Sequence, residues 1–294
     1  MRDHGIGDRV FDVINVIIML ALVFVTAYPM YYVVCASFSS HTTLIANPGM
    51  LFWPHQFTMG AYQLAFKHPL LIGAFRNSVT ILLCALPINF ILTLFCGYFM
   101  ACKDMKWKKF VMAFLLFTMF FNGGLIPSYL NQRDLGLYNN LAALIIPAGL
   151  SIYNAIICRT AIQAIPDSLM ESAYIDGAND FIILFRIIAP LIMPTTAVLL
   201  LYYGVGHWNS WFSASIYIVD NKLLPIQNIL RALLLVNENL LDGGDTGQGG
   251  DNFDNYAETI KYAAVVITTL PILCIYPFLQ KYFIKGVMIG AVKG

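Results

Sequence analysis

The sequence predicts an all-α, polytopic membrane protein with six transmembrane helices, and three observations support this fold class. Hydrophobic residues make up 59% and charged residues 11% of the 294 residues, whereas soluble proteins average about 45–50% and about 25%. The apolar residues fall into six runs, each long enough to cross a bilayer core about 30 Å thick as a helix. The charges cluster between these runs. We therefore expect one transmembrane domain over residues 1–294.

The predicted spans are apolar stretches of about 17 to 25 residues, the length that a bilayer requires of a helix. They cover residues 13–36, 78–101, 110–126, 141–158, 187–208 and 262–279. The first run is too long for a signal-peptide core, and no small-residue cleavage site follows it, so we expect it to remain as an anchor.

The basic residues predict the orientation of the spans. They lie before the first span, in the second and fourth connections and at the end of the chain: Arg2, Arg9, Lys103, Lys106, Lys108, Lys109, Arg159, Arg186, Lys281, Lys285 and Lys293. Segments rich in lysine and arginine remain in the cytoplasm, so both termini are predicted to be cytoplasmic. The acidic segment 219–258 should face outward, and its apolar run 223–241 has the spacing of an interfacial or re-entrant helix.

Several function classes are disfavoured by what the sequence lacks. Ion-coupled carriers place ionisable residues near the bilayer midplane, but the interiors of the predicted spans are almost free of them. No G-x-x-x-x-G-K-[ST] loop is present to hold a nucleotide. The histidines and cysteines are scattered and form no metal or catalytic spacing. The chain therefore does not look like an enzyme, a metal protein or a transporter that powers itself.

The connection between the fourth and fifth predicted spans, residues 165–190, is too polar to cross a membrane and is patterned like two short helices. We call it the elbow. Ser168 and Glu171 have the spacing of a capping box, in which each side chain bonds the other residue's amide. Leu169 and Ala173 should share one face of the first helix.

A turn should separate the two short helices of the elbow. Gly177 can adopt the left-handed conformation that ends a helix. Asn179 or Asp180 can then cap the second helix. The elbow is therefore predicted to be a helix-turn-helix presented to the cytoplasm.

The elbow also resembles a known motif. Residues 171–178 read Glu-Ser-Ala-x-x-Asp-Gly-Ala and are followed by Pro190 and Pro194, which is similar to the "EAA" loop of binding-protein-dependent ABC importer permeases of bacterial-type cell membranes. Ser172 departs from the motif's name, but it replaces one small residue by another, so docking should not be impaired.

The resemblance extends over most of the chain and is closest to the maltose-type, sugar-importing branch. The runs at 122–127, 208–211 and 283–294 are similar to a subgroup that handles larger or acidic plant and algal oligosaccharides. A permease of the same type for peptides or amino acids and an ion-coupled secondary carrier remain as alternatives.

The resemblance implies a coupling role for the elbow, which would seat on an ATPase subunit. The coupling residues that it implies are Ser168, Glu171, Ala173, Asp176, Gly177, Ala178 and Pro190. For Glu171, a purely capping role remains open. The implied partners are a second permease, two ATP-binding subunits that would carry ATP and Mg²⁺, and an extracellular solute-binding protein. No cofactor is expected in this chain.

Sugar contacts are expected near the outer half of the fifth span, because aromatic rings stack on pyranose rings and amides bond hydroxyls. Tyr203, Trp208 and Asn209 are the candidate pathway residues, although aromatic belts at membrane interfaces use the same side chains. The acidic, glycine-rich run 241–254 suits a loop that contacts the binding protein, or a disordered tip, better than a Ca²⁺ site.

Overall fold

The computed structural model describes residues 6–47, 49–67, 69–102, 106–241 and 257–291. These residues form helices joined by turns and loops, without β-strands. The α-helices are α1 (Ile6–Ser37), α2 (His41–Ala46), α3 (Gly60–Lys67), α4 (Leu71–Ala101), α5 (Lys108–Phe120), α6 (Leu125–Asp134), α7 (Ala142–Ile145), α8 (Ile152–Gln163), α9 (Asp167–Ile175), α10 (Asp180–Ile182), α11 (Ala189–Leu191), α12 (Met193–Asn209), α13 (Phe212–Tyr217), α14 (Ile226–Leu241) and α15 (Ala257–Ala291).

The chain divides into two compact units. One comprises Met1–Pro69 with Leu230–Leu270, and the other comprises Leu70–Ile229 with Pro271–Gly294. Both α14 and α15 pass from one unit into the other along the sequence.

In the first unit, α1 contains the whole first predicted span. Its stretch Val10–Ser37 is long and apolar enough to cross a membrane. The side chains of residues 10–27 are exposed, which suits a helix whose apolar surface is covered by lipid rather than by its own chain. Only the end of α1 packs into a small core with Leu44 and Leu51, through Cys35 and Ala36.

In the second unit, α4 is the central helix and packs against α8 and α12. The contact with α8 is close at Gly97: a Cβ atom added there would lie 2.8 Å from the sulfur of Cys158 and 3.2 Å from the amide nitrogen of Arg159. The helix backbones can therefore approach each other only because residue 97 has no side chain. Around this contact lies a core that includes Leu94, Ile162 and Leu199.

Only some of the six predicted spans are single, long helices. Among the described residues, two helices, Val10–Ser37 and α4, are long and apolar enough to span, and the number rises to four if each of two bent helix pairs counts as one span. One pair is α5 with α6, bent by 110°, and the other is Asp180–Leu191 with α12, bent by 85°.

The bends have local causes. The first lies within the predicted span 110–126, where α5 ends and Gly124 adopts a φ of 92°. The second lies at Ile192, which precedes α12, and Pro194 occupies the first turn of that helix; a proline has no amide hydrogen to bond the preceding turn, so it favours a helix start here over a continuous helix. Hydropathy identified these runs as apolar but contains no information on the bends.

The predicted fourth span, 141–158, is not one helix. It forms α7, a non-helical break over residues 146–151, and α8. Pro147 and Gly149 lie in the break, and both disfavour continuous helix. Non-helical backbone at membrane depth requires partners for its polar groups, and the break receives them from two neighbouring helices, as described below.

The segment after α13 is also helical. The apolar run predicted over 223–241 forms α14, with Ile226, Ile229 and Leu233 buried at helical spacing. The last predicted span, 262–279, lies inside α15. Of the predicted acidic loop 241–254, every residue except Leu241 lies outside the described residues.

Candidate functional site

The first helix of the elbow begins two residues earlier than the predicted capping box requires. The first residue of α9 is Asp167, Pro166 occupies the N-cap position, and no side chain caps this end. Ser168 therefore lies inside the helix, where its carbonyl accepts a bond from the Ser172 hydroxyl (2.8 Å). A capping box needs its hydroxyl on the residue that precedes the helix, so this prediction was wrong. The side chain of Glu171 is exposed and has no such capping role.

The turn after α9 forms as the sequence predicts. Gly177 has a φ of 79°. Its amide donates to the carbonyl of Tyr174 (3.0 Å), and the amide of Ala178 donates to the carbonyl of Ala173 (2.9 Å). These two bonds define a Schellman motif, which normally includes an apolar contact. Ala173 is buried here, and Ala178 packs against the same core.

The second half of the elbow is capped and anchored. The Oδ1 atom of Asn179 accepts a bond from the amide of Ile182 (2.9 Å), so Asn179 is the N-cap of α10. A π-helical turn, Ile183–Ile188, follows and buries Ile183, Leu184 and Ile188 completely or almost completely. Pro190 lies just beyond it, exposed, in α11.

The tip of the elbow is an exposed surface that combines acidic and apolar groups. Ile175, at the last position of α9, is 86% exposed and is followed by the exposed Asp176. Leu169 is 46% exposed, so it does not share the burial of Ala173 that the predicted common face suggested. The exposure of Ile175 was not predicted, because helical spacing alone does not distinguish an apolar residue that stays exposed from one that packs inward.

The elbow is fastened to α4 by one carboxylate. The Oδ1 atom of Asp180 accepts a bond from the hydroxyl of Tyr174 (2.6 Å) and a second from the hydroxyl of Tyr98 on α4 (2.9 Å). Because these bonds stabilise the ionised carboxylate, they lower the pKa of Asp180, with Tyr174 the larger cause. The same bond raises the pKa of Tyr174.

A cavity of about 790 Å³ lies within the second unit. Its described lining carries hydroxyl, amide, imidazole and aromatic groups but no Asp, Glu, Lys or Arg. The polar side chains in this lining are Ser128, Gln132, Ser151, Tyr153, Asn154, Tyr202, Tyr203, His207, Ser210, Ser213 and Tyr217. They come from α6, α8, α12 and α13 and from the segments that flank these helices.

The helix break 146–151 forms part of the cavity wall and is held by Asn89, which is fully buried on α4. The amide nitrogen of Asn89 donates to the carbonyls of Ala148 (2.7 Å) and Gly149 (2.9 Å). Its oxygen lies 3.0 Å from Nε2 of His207. Since the two carbonyls fix the orientation of the amide, Nε2 must be the protonated nitrogen. When neutral, His207 therefore has Nδ1 as a hydrogen-bond acceptor in the cavity wall.

Tyr203 supports the same break from α12. Its hydroxyl accepts a bond from the amide of Ser151 (2.8 Å) and lies 2.8 Å from the hydroxyl of Thr93. Gln132 supplies a further polar group, since its Oε1 is buried without a hydrogen-bond partner in the described part of the chain. An unpaired buried acceptor is costly.

The structure separates the three predicted pathway residues. Tyr203 lines the cavity. Trp208 is buried outside the lining and packs edge-on against Phe75, with ring centroids 5.7 Å apart. Asn209 is exposed, and its Oδ1 lies 3.5 Å from Nε2 of Gln227. Asn89 and Asn154 were missed, although an amide inside an apolar run is a signal that would have identified both.

Three comparisons with known proteins agree with one another. Residues 77–289 match the family described as "Binding-protein-dependent transport system inner membrane component". Protein LplC of Bacillus subtilis (strain 168) is 36% identical over 98% of this chain and 96% of its own length. The polygalacturonan/rhamnogalacturonan transport system permease protein YtcP of the same organism is 34% identical over 98% and 99%.

A solved structure is similar over nearly the whole chain. It is that of a bacterial ABC transporter involved in the import of the acidic polysaccharide alginate, with a TM-score of 0.87, 25% identity, and coverage of 96% of this chain and 100% of the other. The similarity to proteins of this kind therefore extends over at least 96% of the chain.

Proposed function

Because the chain belongs to the family of inner membrane components of binding-protein-dependent transport systems, and is thus a multi-pass membrane transport subunit and not an enzyme, we propose that it carries a sugar or oligosaccharide as one permease subunit of an ABC importer. Its relatives support the sugar, since YtcP is named for polygalacturonan and rhamnogalacturonan and the similar solved transporter imports alginate.

The observation that carries the proposal is the uncharged polar lining of the 790 Å³ cavity. Sugars present many hydroxyl groups and apolar ring faces. The lining offers matching groups: the imidazole of His207, hydroxyls, side-chain amides, and the rings of Tyr153 and Tyr202. Peptide or amino-acid carriers would need an anionic group to pair with the ammonium group of their cargo, and no Asp or Glu belongs to the described lining.

The elbow is proposed to be the attachment site of an ATPase subunit. Exposed Glu171, Ile175 and Asp176 form its tip, while the Schellman turn at Gly177 and the buried Ala173 fix that tip to the second unit. In this proposal, Ser168 is part of the helix α9. Ala178 completes the turn that follows α9, and Pro190 lies where the chain leaves the elbow. ATP and Mg²⁺ are bound by the ATPase partner, and this chain only receives the movement.

The remaining partners and the topology complete the proposal. A second permease would form the other half of the pathway, two ATP-binding subunits would dock on the cytoplasmic side, and a solute-binding protein would deliver the sugar outside. We propose six spans with both termini in the cytoplasm, because the basic residues cluster in the corresponding connections. Transport would proceed by alternating access.

The test is reconstitution of the whole importer in proteoliposomes, with ATP hydrolysis measured with and without loaded binding protein. The binding protein would be loaded in turn from one panel: oligogalacturonides, an alginate pentasaccharide, arabinooligosaccharides and a peptide mixture. We expect at least one saccharide to stimulate hydrolysis and to be taken up. Stimulation of hydrolysis by peptides alone would contradict the proposed substrate class. Uptake that is sensitive to ionophores and occurs without ATPase subunits would contradict the proposed ATP-driven mechanism.

A further inference from the structure

Asp180 lies at the centre of the contact between the elbow and α4. The sequence alone suggests only a helix-capping role for it. Two tyrosine hydroxyls, one from α9 and one from α4, converge on the single atom Oδ1, and the hydroxyls themselves lie 3.4 Å apart. Asp180 is not needed as a cap, because Asn179 already fills that position. Its carboxylate therefore bonds outward, to side chains of two other helices.

We propose that Asp180 is a positioning residue for coupling: with Tyr98 and Tyr174 it clamps α9 to the end of α4, so that movement of the docked elbow is transmitted to α4. This inference rests on the proposed function, because it assumes that an ATPase subunit moves the elbow.

A second set of contacts lies beside the clamp. The ring of Phe95 on α4 packs edge-on against Phe181 (centroids 6.2 Å apart) and against Phe185 (5.8 Å). Aromatic contacts of this kind restrain distance but allow the rings to slide. Bonds to a carboxylate are stronger and directional. The carboxylate thus fixes the register between elbow and α4, whereas the aromatic rings alone would hold the two together without fixing it.

The end of α4 is itself tied down. The ammonium group of Lys108, at the start of α5, bonds the backbone carbonyls of Ala101 and Cys102. A cation at this position pairs with the unsatisfied carbonyls and the negative end of the helix dipole. The terminal turn of α4 should therefore move as a unit and not fray when the clamp pulls on it.

The helix α4 also connects the clamp to the cavity. Asn89 and Thr93, which hold the cavity wall, lie on the same helix as Tyr98. Nine residues of α-helix separate Asn89 from Tyr98, a rise of about 14 Å. A shift of α4 at the clamp would therefore reach the helix break 146–151 through the bonds of Asn89 to Ala148 and Gly149.

The test measures sugar uptake and ATP hydrolysis in the same proteoliposomes, using the reconstituted importer and the panel saccharide that stimulates the wild type most. Tyr98→Phe and Tyr174→Phe each remove one hydroxyl and keep the ring. We expect each to lower the sugar taken up per ATP about twofold to fivefold, a range reduced for solvent exposure of the contact.

The variants should also depend on one another. Since both hydroxyls share one acceptor, adding Asp180→Ala to the Tyr98→Phe/Tyr174→Phe pair should cause little further loss, which is the non-additivity expected of one network. The KM for ATP should remain unchanged while the stimulated kcat falls. Asp134→Asn, which neutralises an exposed carboxylate 3.4 Å from the guanidinium of Arg133, is the control and should behave as wild type.

Wild-type uptake per ATP in both Phe variants would overturn the clamp. So would a lower yield of assembled importer with an unchanged uptake per ATP in the importer that forms, because that result would indicate a merely structural contact. Failure of every loaded binding protein to stimulate the wild type would instead overturn the proposed function and, with it, the role assigned to the clamp.

Discussion

The elbow and the cavity wall both contact α4, but the hydrogen bonds that shape the two sites differ in range. In the elbow, the Schellman turn and the Asn179 cap join residues three to five apart. In the cavity, Tyr203 bonds a residue 52 positions away, and His207 bonds one 118 positions away. The elbow is a shape that its own sequence specifies, whereas the cavity exists only after distant segments have packed.

This difference predicts which changes affect only one site and which affect the whole unit. Changes to long-range bonds should destabilise the fold, because they leave buried groups unpaired. Changes to the elbow should spare the fold and affect attachment of the ATPase. The predictions below are ordered from the largest expected effect to the smallest.

The largest effect is expected for Asn89→Leu. The substitution removes two donors from the carbonyls of the helix break and the acceptor from His207, so we expect a loss of about 2–4 kcal/mol of stability, within the range for buried hydrogen bonds in water and in membranes. The measurement is thermal melting of the detergent-purified chain.

The matched control is Asn131→Leu, since that asparagine is exposed on α6. It should leave the melting temperature close to that of the wild type. Equal melting shifts for the two variants would show that the asparagine in the cavity wall has no special structural role.

Gly97→Ala tests the shared scaffold. A Cβ atom would meet the Cys158 sulfur at 2.8 Å and its Cβ at 3.0 Å, and overpacking of this kind costs about 1–3 kcal/mol. Melting should fall accordingly, and Cys158→Ala should restore part of the loss by removing the nearer atom. At Gly204 the nearest atom would be 4.0 Å away, so Gly204→Ala should be nearly neutral. Identical behaviour at both glycines would refute close packing of α4 on α8.

Gly177→Ala tests the elbow alone. The new Cβ atom would meet nothing within 4 Å, so the cost comes from the backbone, about 1–2 kcal/mol for a non-glycine residue in the left-handed region. We expect lower co-purification of the ATPase subunit with only a small change in melting.

Gly73→Ala is the control for this variant, because its Cβ atom also meets open space but its backbone is helical. It should be neutral or slightly stabilising. If both variants retain the ATPase equally, the left-handed turn is not needed for attachment.

The smallest effect is expected for Asn179→Ala, which removes the cap of α10. Loss of such a cap typically costs about 1 kcal/mol. Because the buried residues 183–188 still anchor this segment, we expect a melting shift smaller than that of Asn89→Leu and a modest loss of binding-protein-stimulated ATPase activity.

The same distinction of range explains what the sequence could predict. Gly177 and Asn179 were identified correctly because their conformations depend on a few neighbouring residues. The capping box failed by two positions, since Pro166 rather than Ser168 precedes the helix. Such an error lies within the usual uncertainty of helix boundaries, but it removes the capping explanation for Glu171.

The cavity could be predicted only in part. Tyr203 was identified by its residue type, whereas Trp208 and Asn209 belong to the same aromatic and amide pattern but lie outside the lining. Their separation follows from the helical rotation along α12, which composition does not reveal. Gln132 and Asn154 join the cavity because α6 and α8 both border it, and that arrangement requires the folded chain.

The most direct test of the account is the ratio of ATP hydrolysis with and without loaded binding protein, measured for Glu171→Lys in the reconstituted importer. Glu171 is exposed on the elbow and is not required for its helix cap, so the account predicts that the chain folds normally but loses stimulated hydrolysis and most of its co-purifying ATPase. Normal assembly with wild-type stimulation of ATP hydrolysis would contradict the claim that an ATPase subunit attaches at this elbow.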